Sequence, residues 1–206
     1  MRGFARAPGR RLACFVRPLV RRFVIVSGLP ASGKSTAGQA IGSGLGLSFL
    51  DKDSVLESLF ETTPPADAQG RNELSRLADT SFRERALTAL GGVLVSWWKH
   101  PRSLAASGTP TQWLHSLNGA LVEVHCVCSP LVAVERFLAR KRHAGHFDSQ
   151  RSRSQLLVQF DQHASLGPLG IGSLVQADTD CAVDIGALLH KVNLAFESSR
   201  HAQPAA

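Results

Sequence analysis

One stretch holds the residue types and spacing that suit phosphate chemistry. Gly28, Gly33, Lys34 and Ser35 fit G-x-x-x-x-G-K-[ST] within Gly28-Leu29-Pro30-Ala31-Ser32-Gly33-Lys34-Ser35-Thr36. Glycines at those two places let the backbone turn tightly and aim its N–H groups at an anion. A helix opening near Lys34 adds the positive end of its dipole. Lys34 can reach β- and γ-phosphates, and Ser35 can set its hydroxyl on Mg²⁺. The plain alternative is a Gly/Ser-rich turn that binds nothing. The flanks favour the first reading. Residues 23–26 are an apolar run, β-branched at its centre, suited to a strand buried on both faces. Residues 36–45 are helix-compatible, and strand, glycine loop and helix in that order are the context of a working phosphate loop.

Two carboxylates come next. Asp51 and Asp53 leave a short apolar strand, 47–50, on the rim that bears the glycine loop. If the strand continues, both side chains point the same way. One can then hold Mg²⁺, directly or through water. The other can accept the proton of a hydroxyl that attacks a γ-phosphate. The simpler alternative is capping, with Asp53 over a helix at 54–61 and Asp51 in solvent; capping and catalysis are compatible. A third group is cationic. Arg140, Lys141, Arg142, His143, His146, Arg151 and Arg153 crowd the chain around Gly145. A flexible basic flap can close over a nucleotide, neutralise developing charge and exclude water. Its alternative is a solvated basic helix end. His143, His146 and Asp148 match no closed zinc spacing. Trp97 and Trp98 follow the third strand, one suited to the core and the other to the wall of an acceptor pocket. His100, Arg102, Ser107 and Thr109 lie nearby and can orient an acceptor.

These residues need a scaffold, and the periodicity supplies one. Strands are expected at 23–26, 47–50, 93–95, 121–127 and 174–177. Between them lie helical patterns at 36–45, 54–61, 73–90, 154–163 and 184–196. Asn72 is placed to cap the third of these, with Gly91-Gly92 ending it. Thr109-Pro110-Thr111-Gln112 has the form of a helix start, with Thr109 as the cap. Ser129-Pro130 opens a further helix to about Lys141. Strands alternating with helices predict a parallel α/β sheet with right-handed crossovers. Ligands in such sheets sit at the carboxyl ends of the strands. That gathers the glycine loop, Asp51, Asp53 and the Trp97 loop on one rim. There is no internal repeat and no second domain.

The glycine loop and its helix, then Leu47-Ser48-Phe49-Leu50-Asp51-Lys52-Asp53 and another helix, resemble the small P-loop phosphotransferases. That group includes shikimate and gluconate kinases, chloramphenicol phosphotransferase and zeta-toxin-like kinases. The segment Val134-Glu135-Arg136-Phe137-Leu138-Ala139-Arg140-Lys141-Arg142 is similar to their helix-and-lid segment, so the resemblance spans most of residues 23–196. It implies a three-layer α/β/α fold, a five-stranded parallel sheet of order 2-3-1-4-5, and a mobile lid. It implies ATP and Mg²⁺ as cofactors and a small-molecule hydroxyl as acceptor. Gly28, Leu29, Pro30, Ala31, Ser32, Gly33, Lys34, Ser35 and Thr36 would cradle the nucleotide, with Arg136 near the adenine. Asp53 matches the base or hydroxyl ligand, and Ser35 and Asp51 the metal side. Lys34, Arg140 and Arg142 match the groups that meet the transferring phosphoryl group. One departure stands out: the third strand ends Val95-Ser96-Trp97, without the usual aspartate.

Composition bounds the remaining classes. The chain has 206 residues, enough for one domain with a full core. No apolar run approaches the roughly 18 residues of a membrane span. The net charge of +7 resides in residues 1–22, which hold seven arginines and no acid. Residues 23–206 are formally neutral, which argues against a long nucleic-acid groove. The expected organisation is a basic, disordered extension at 1–22, a kinase domain at 23–197 and a frayed tail at 198–206. Cys126 and Cys128 alternate in a strand and read as buried thiols of a reducing cytoplasm. Two other functions remain open on sequence: a polynucleotide 5′-kinase or zeta-toxin-like kinase, and a nucleotide-dependent switch with no acceptor. The oligomeric state is not written in these patterns.

Overall fold

In the computed structural model the described residues are 20–105, 107–148 and 151–201. Five strands form one parallel sheet: β1 (Arg22–Gly28), β2 (Phe49–Asp51), β3 (Gly91–Val95), β4 (Ala120–Val127) and β5 (Ser173–Asp178). Their order is β2-β3-β1-β4-β5. The apolar run that opens β1 places it at the centre, and Phe23, Val24, Ile25 and Val26 are fully buried. Only a strand covered on both faces tolerates such a run. Val24 and Val26 pack with α1 (Lys34–Leu45) and α6 (Ile185–His201) on one face. Phe23 and Ile25 meet α3 (Ala68–Thr88), Trp98 and Trp113 on the other. This is the three-layer fold the sequence predicts. No described helix is long and apolar enough to cross a membrane.

The remaining helices border the ligand rim: α2 (Lys52–Thr62), α4 (Pro130–Ala139) and α5 (Arg153–Ala164). Several of their starts differ from expectation, always through the choice of cap. α2 begins at Lys52, two residues early, because Asp51 rather than Asp53 caps it, accepting Asp53 N–H at 2.9 Å. α3 begins at Ala68 because Asp67 accepts Gly70 N–H at 2.8 Å; Asn72 lies inside the helix. Gly91 and Gly92 belong to β3 rather than to a helix end. Thr109 caps nothing: the 3₁₀ turn at Gln112–Ser116 starts later, and the Thr109 backbone pairs with Trp97 O and Lys99 N–H. Ser129 does cap α4, with Pro130 in its first turn. Ser152 and Gln155 form a capping box at the start of α5. Cys126 is buried in β4, and buried Cys128 lies just beyond its end, but Cys181 is exposed, so the buried-thiol reading does not extend to it. Cys14 and most of the basic N-terminal segment lie outside the described residues.

Candidate active site

The glycine loop joins β1 to α1 across the centre of the rim. Gly28 has φ +128°, and a Cβ there would stand 2.5 Å from the carbonyl oxygen of Cys126. Gly33 has φ +87° and immediately precedes α1. Both positions need glycine, for close backbone approach and for a left-handed turn. Lys34 folds back over the loop and donates to the Gly28 carbonyl at 3.0 Å and to that of Leu29. It is only 8 % exposed, and burial pulls its pKa down to about 8 against the upward pull of Cys126, Asp53 and Asp51. The Ser32 hydroxyl is fully buried without a hydrogen-bond partner among the described residues. A glycine-turned loop, a folded-back ammonium and a buried hydroxyl together make a donor set suited to phosphate oxygens.

The two aspartates do not share a strand face, because the chain turns from β2 into α2 between them. Asp51 Oδ2 accepts the Ser35 hydroxyl at 2.7 Å, while its Oδ1 holds the helix start. Burial raises its pKa, partly offset by the Ser35 hydrogen bond. The pair of hard oxygens, Ser35 Oγ and the Asp51 carboxylate, fits a magnesium ion that keeps most of its waters. Asp53 points instead into the cavity, half exposed, and its Oδ2 lies 2.5 Å from Arg142 Nη2.

Arg140, Arg142 and His146 of the basic segment are folded against the site, while Lys141, His143, Arg151 and Arg153 are exposed. Arg140 Nη2 and Arg142 Nη1 share Asp148 Oδ2 at 3.1 and 3.4 Å. The Arg140 guanidinium stands 4.2 Å over the Phe137 ring. Burial lowers its pKa, with Arg142 adding to the effect. His146 Nε2 meets Glu57 Oε1 at 2.9 Å, and the Phe60 ring of α2 packs on both His143 and His146. Gly145 lets the segment lie on that ring, where a Cβ would sit 2.7 Å from Phe60 Cδ2. Among the described residues no group of three side chains could hold a metal through these histidines. Arg153 turns away to Glu135 at 2.6 Å, and Arg151 reaches Gln159 at 3.3 Å. Arg136 lines the cavity while donating to the Thr179 and Asp180 carbonyls at 2.7 and 2.9 Å, so it ties α4 to the end of β5.

Together these groups line an open cavity of about 390 Å³ between the glycine loop, α2, α3 and the basic segment. Every proposed catalytic and metal residue lines it: Lys34, Ser35, Asp51, Asp53, Arg140 and Arg142. Trp98 is the core tryptophan, donating Nε1–H to the Val26 carbonyl at 2.8 Å. Trp97 is the wall, stacked on His163 at 4.3 Å. Ser107 lines the cavity as well, but His100 and Arg102 face the carbonyls of Pro168 and Leu166. Two cavity groups escaped the sequence reading. Arg71 enters from α3, and buried Lys52 pairs with Asp79 at 3.0 Å. Ser96, just past β3, bonds Thr109 at 2.6 Å. Single polar residues in an ordinary helix carry no local signal of this convergence.

No protein-family model matches the chain, and no curated protein matches it. Solved structures do. A candidate kinase from Chloroflexus aurantiacus J-10-fl superposes with a TM-score of 0.67 at 24 % identity, over 87 % of this chain and 98 % of its own. Shikimate kinase from Bacteroides thetaiotaomicron gives 0.51 at 18 % identity, over 86 % and 99 %. The structural neighbours are small P-loop kinases, and the sheet order with helices on both faces is their fold.

Proposed function

We propose that this protein is an ATP-dependent kinase that moves the γ-phosphoryl group to a hydroxyl of a small-molecule acceptor. The observation that carries the reading is the convergence of a phosphate loop, a cavity-facing carboxylate and two inward arginines on one open cleft. The loop amides and Lys34 bind the β- and γ-phosphates; at pH 7, below its pKa of about 8, Lys34 is cationic. Ser35 and Asp51 would hold Mg²⁺, which would supply positive charge against the phosphate oxygens. Asp53 orients the acceptor hydroxyl and takes its proton as the acceptor oxygen bonds to the γ-phosphorus. The bond from that phosphorus to the bridging oxygen of ADP breaks in the same displacement. Arg140 and Arg142 stabilise the phosphoryl group in flight and keep water out. Arg142 holds Asp53 in the free protein, so an acceptor hydroxyl enters by taking over that contact.

Transfer from radiolabelled ATP to panels of sugars, antibiotics and nucleosides tests the activity. Asp53→Asn is expected to abolish transfer, by about 10²-fold or more, and to leave ATP affinity intact; unchanged transfer would remove Asp53 from its role. A second reading is favoured by one feature: β3 ends at Val95 and runs on into Ser96-Trp97, with no acidic residue. A nucleotide-dependent switch fits that absence. It predicts slow hydrolysis independent of any acceptor, accelerated by a partner protein.

A further inference from the structure

The end of β3 carries a hydroxyl where a carboxylate is usual, but a carboxylate stands two hydrogen bonds behind it. Ser96 follows Val95, which pairs with Asp51 of β2, so Ser96 emerges on the rim next to the Ser35–Asp51 pair. It lines the cavity and is almost wholly buried. Its Oγ lies 2.6 Å from Thr109 Oγ1, which in turn lies 2.7 Å from Asp79 Oδ1. Asp79 is ion-paired with Lys52 Nζ, 3.0 Å away, and Lys52 also donates to Ser75 Oγ at 2.8 Å. The Thr109 backbone is fixed in turn by Trp97 O and Lys99 N–H.

The direction of each bond follows from the chemistry of the groups. An ionised carboxylate only accepts, so Thr109 gives its one hydroxyl proton to Asp79. Thr109 then has lone pairs alone for Ser96, and Ser96 must be the donor between them. With its proton committed, Ser96 presents only acceptor capacity to the cavity. A water bound to a divalent cation has the complementary character, since its lone pair is on the metal and both protons must be donated.

We propose that Thr109 and Asp79 are positioning residues that fix Ser96 as an acceptor for a water of the nucleotide-bound metal ion. The chain Lys52–Asp79–Thr109–Ser96 thereby does at second hand what an aspartate at the end of β3 would do directly. The inference rests on the kinase reading, in that it takes the metal to arrive with the nucleotide.

The test is a titration of Mn²⁺, followed by electron paramagnetic resonance, into the full chain with a non-hydrolysable ATP analogue. Ser96→Ala and Thr109→Val are each expected to weaken Mn²⁺ binding about three- to tenfold, the scale of one lost hydrogen bond. Thr109→Ser should restore it, and the double variant Ser96→Ala/Thr109→Val should be no weaker than Ser96→Ala alone. Affinity for the analogue in EDTA should stay at the wild-type value even where the lost buried hydrogen bond lowers the melting temperature, because a general disturbance of the site would weaken nucleotide binding with or without metal. Wild-type Mn²⁺ affinity in both single variants overturns the inference and leaves the kinase reading standing. Additive losses in the double variant also overturn it, because the two hydroxyls would then act separately. A wild-type protein that binds no analogue with or without Mn²⁺ overturns the kinase reading itself, and this inference with it.

Discussion

Lys34 is a lysine whose change of charge falls within reach of neutral pH. Burial lowers its pKa to about 8 in the free protein, and a bound polyphosphate pulls it back up. Binding therefore takes up a proton once the pH exceeds that value. ATP affinity is expected to be flat below pH 8 and then to fall by up to about tenfold per pH unit. Lys34→Arg, which keeps its charge throughout, should lack the slope whatever its absolute affinity. Calorimetric titrations from pH 6.5 to 9.5 compare the two, and parallel profiles would show that another group sets the dependence. At this scale the sequence was most legible where chemistry demands fixed spacing. The G-x-x-x-x-G-K-S loop gives Gly28, Gly33, Lys34 and Ser35 their places with no knowledge of the fold. Asp51 and Asp53 were legible as a pair but not in their division of labour, which depends on where β2 turns into α2. Arg71, Asp79 and Glu123 were not legible: the cavity that Arg71 lines is walled by distant segments, and Asp79 and Glu123 meet partners tens of positions away.

Glu123 shows how an element can depend on one buried polar side chain. It sits inside β4, 1 % exposed, beside Ile25 of β1 and Leu174 of β5. Its two oxygens accept the backbone N–H groups of Leu169, Gly170 and Ile171 at 2.7 to 3.2 Å and the Ser27 hydroxyl at 2.6 Å. The carboxylate thus pins the loop between α5 and β5 to the strand that carries the glycine loop. Glu123→Gln keeps the shape but replaces one acceptor oxygen by an NH₂ that faces donors. At least one buried N–H then loses its partner, and the loss of stability should be about 1–3 kcal/mol. Urea unfolding should show a lower midpoint at an unchanged slope, whereas an unmoved midpoint would mean that water or a rearranged loop satisfies those amides. The periodicity of β4 hid this residue, because one acid within an apolar run looks like a break in the pattern. Helix starts were misplaced for a related reason. Asp51 and Asp53, or Asp67 and Asn72, have equal capping chemistry, and the choice is made by where the preceding strand or loop delivers the chain. Thr109 has the residue type of a cap, but Ser96 and Asp79 take its hydroxyl instead.

For the molecule as a whole, the order of the strands was readable from the resemblance and the layers from alternation. The boundary at the N-terminal side is finer than composition could show. β1 starts at Arg22, and Arg21 already docks, its Nε and Nη2 donating to the Ala89 and Leu87 carbonyls at 2.9 and 2.8 Å at the C-terminal end of α3. The Arg21 guanidinium also lies 5.0 Å from the Phe23 ring. Val20, by contrast, is 45 % exposed. We expect a chain lacking residues 1–20 to fold with its melting temperature and its MgATP-induced rise in melting temperature unchanged. Its formal net charge drops from +7 to +2 with the five arginines removed. Extending the deletion through Arg21 should cost roughly 1 kcal/mol, because the carbonyls after α3 then lose a charged donor. Melting curves of the three chains, with and without MgATP, decide the matter. If the shorter deletion already abolishes folding or the nucleotide response, residues 1–20 belong to the folded domain. If the two deletions melt together, the Arg21 contacts contribute nothing measurable, and the domain boundary lies at the start of β1.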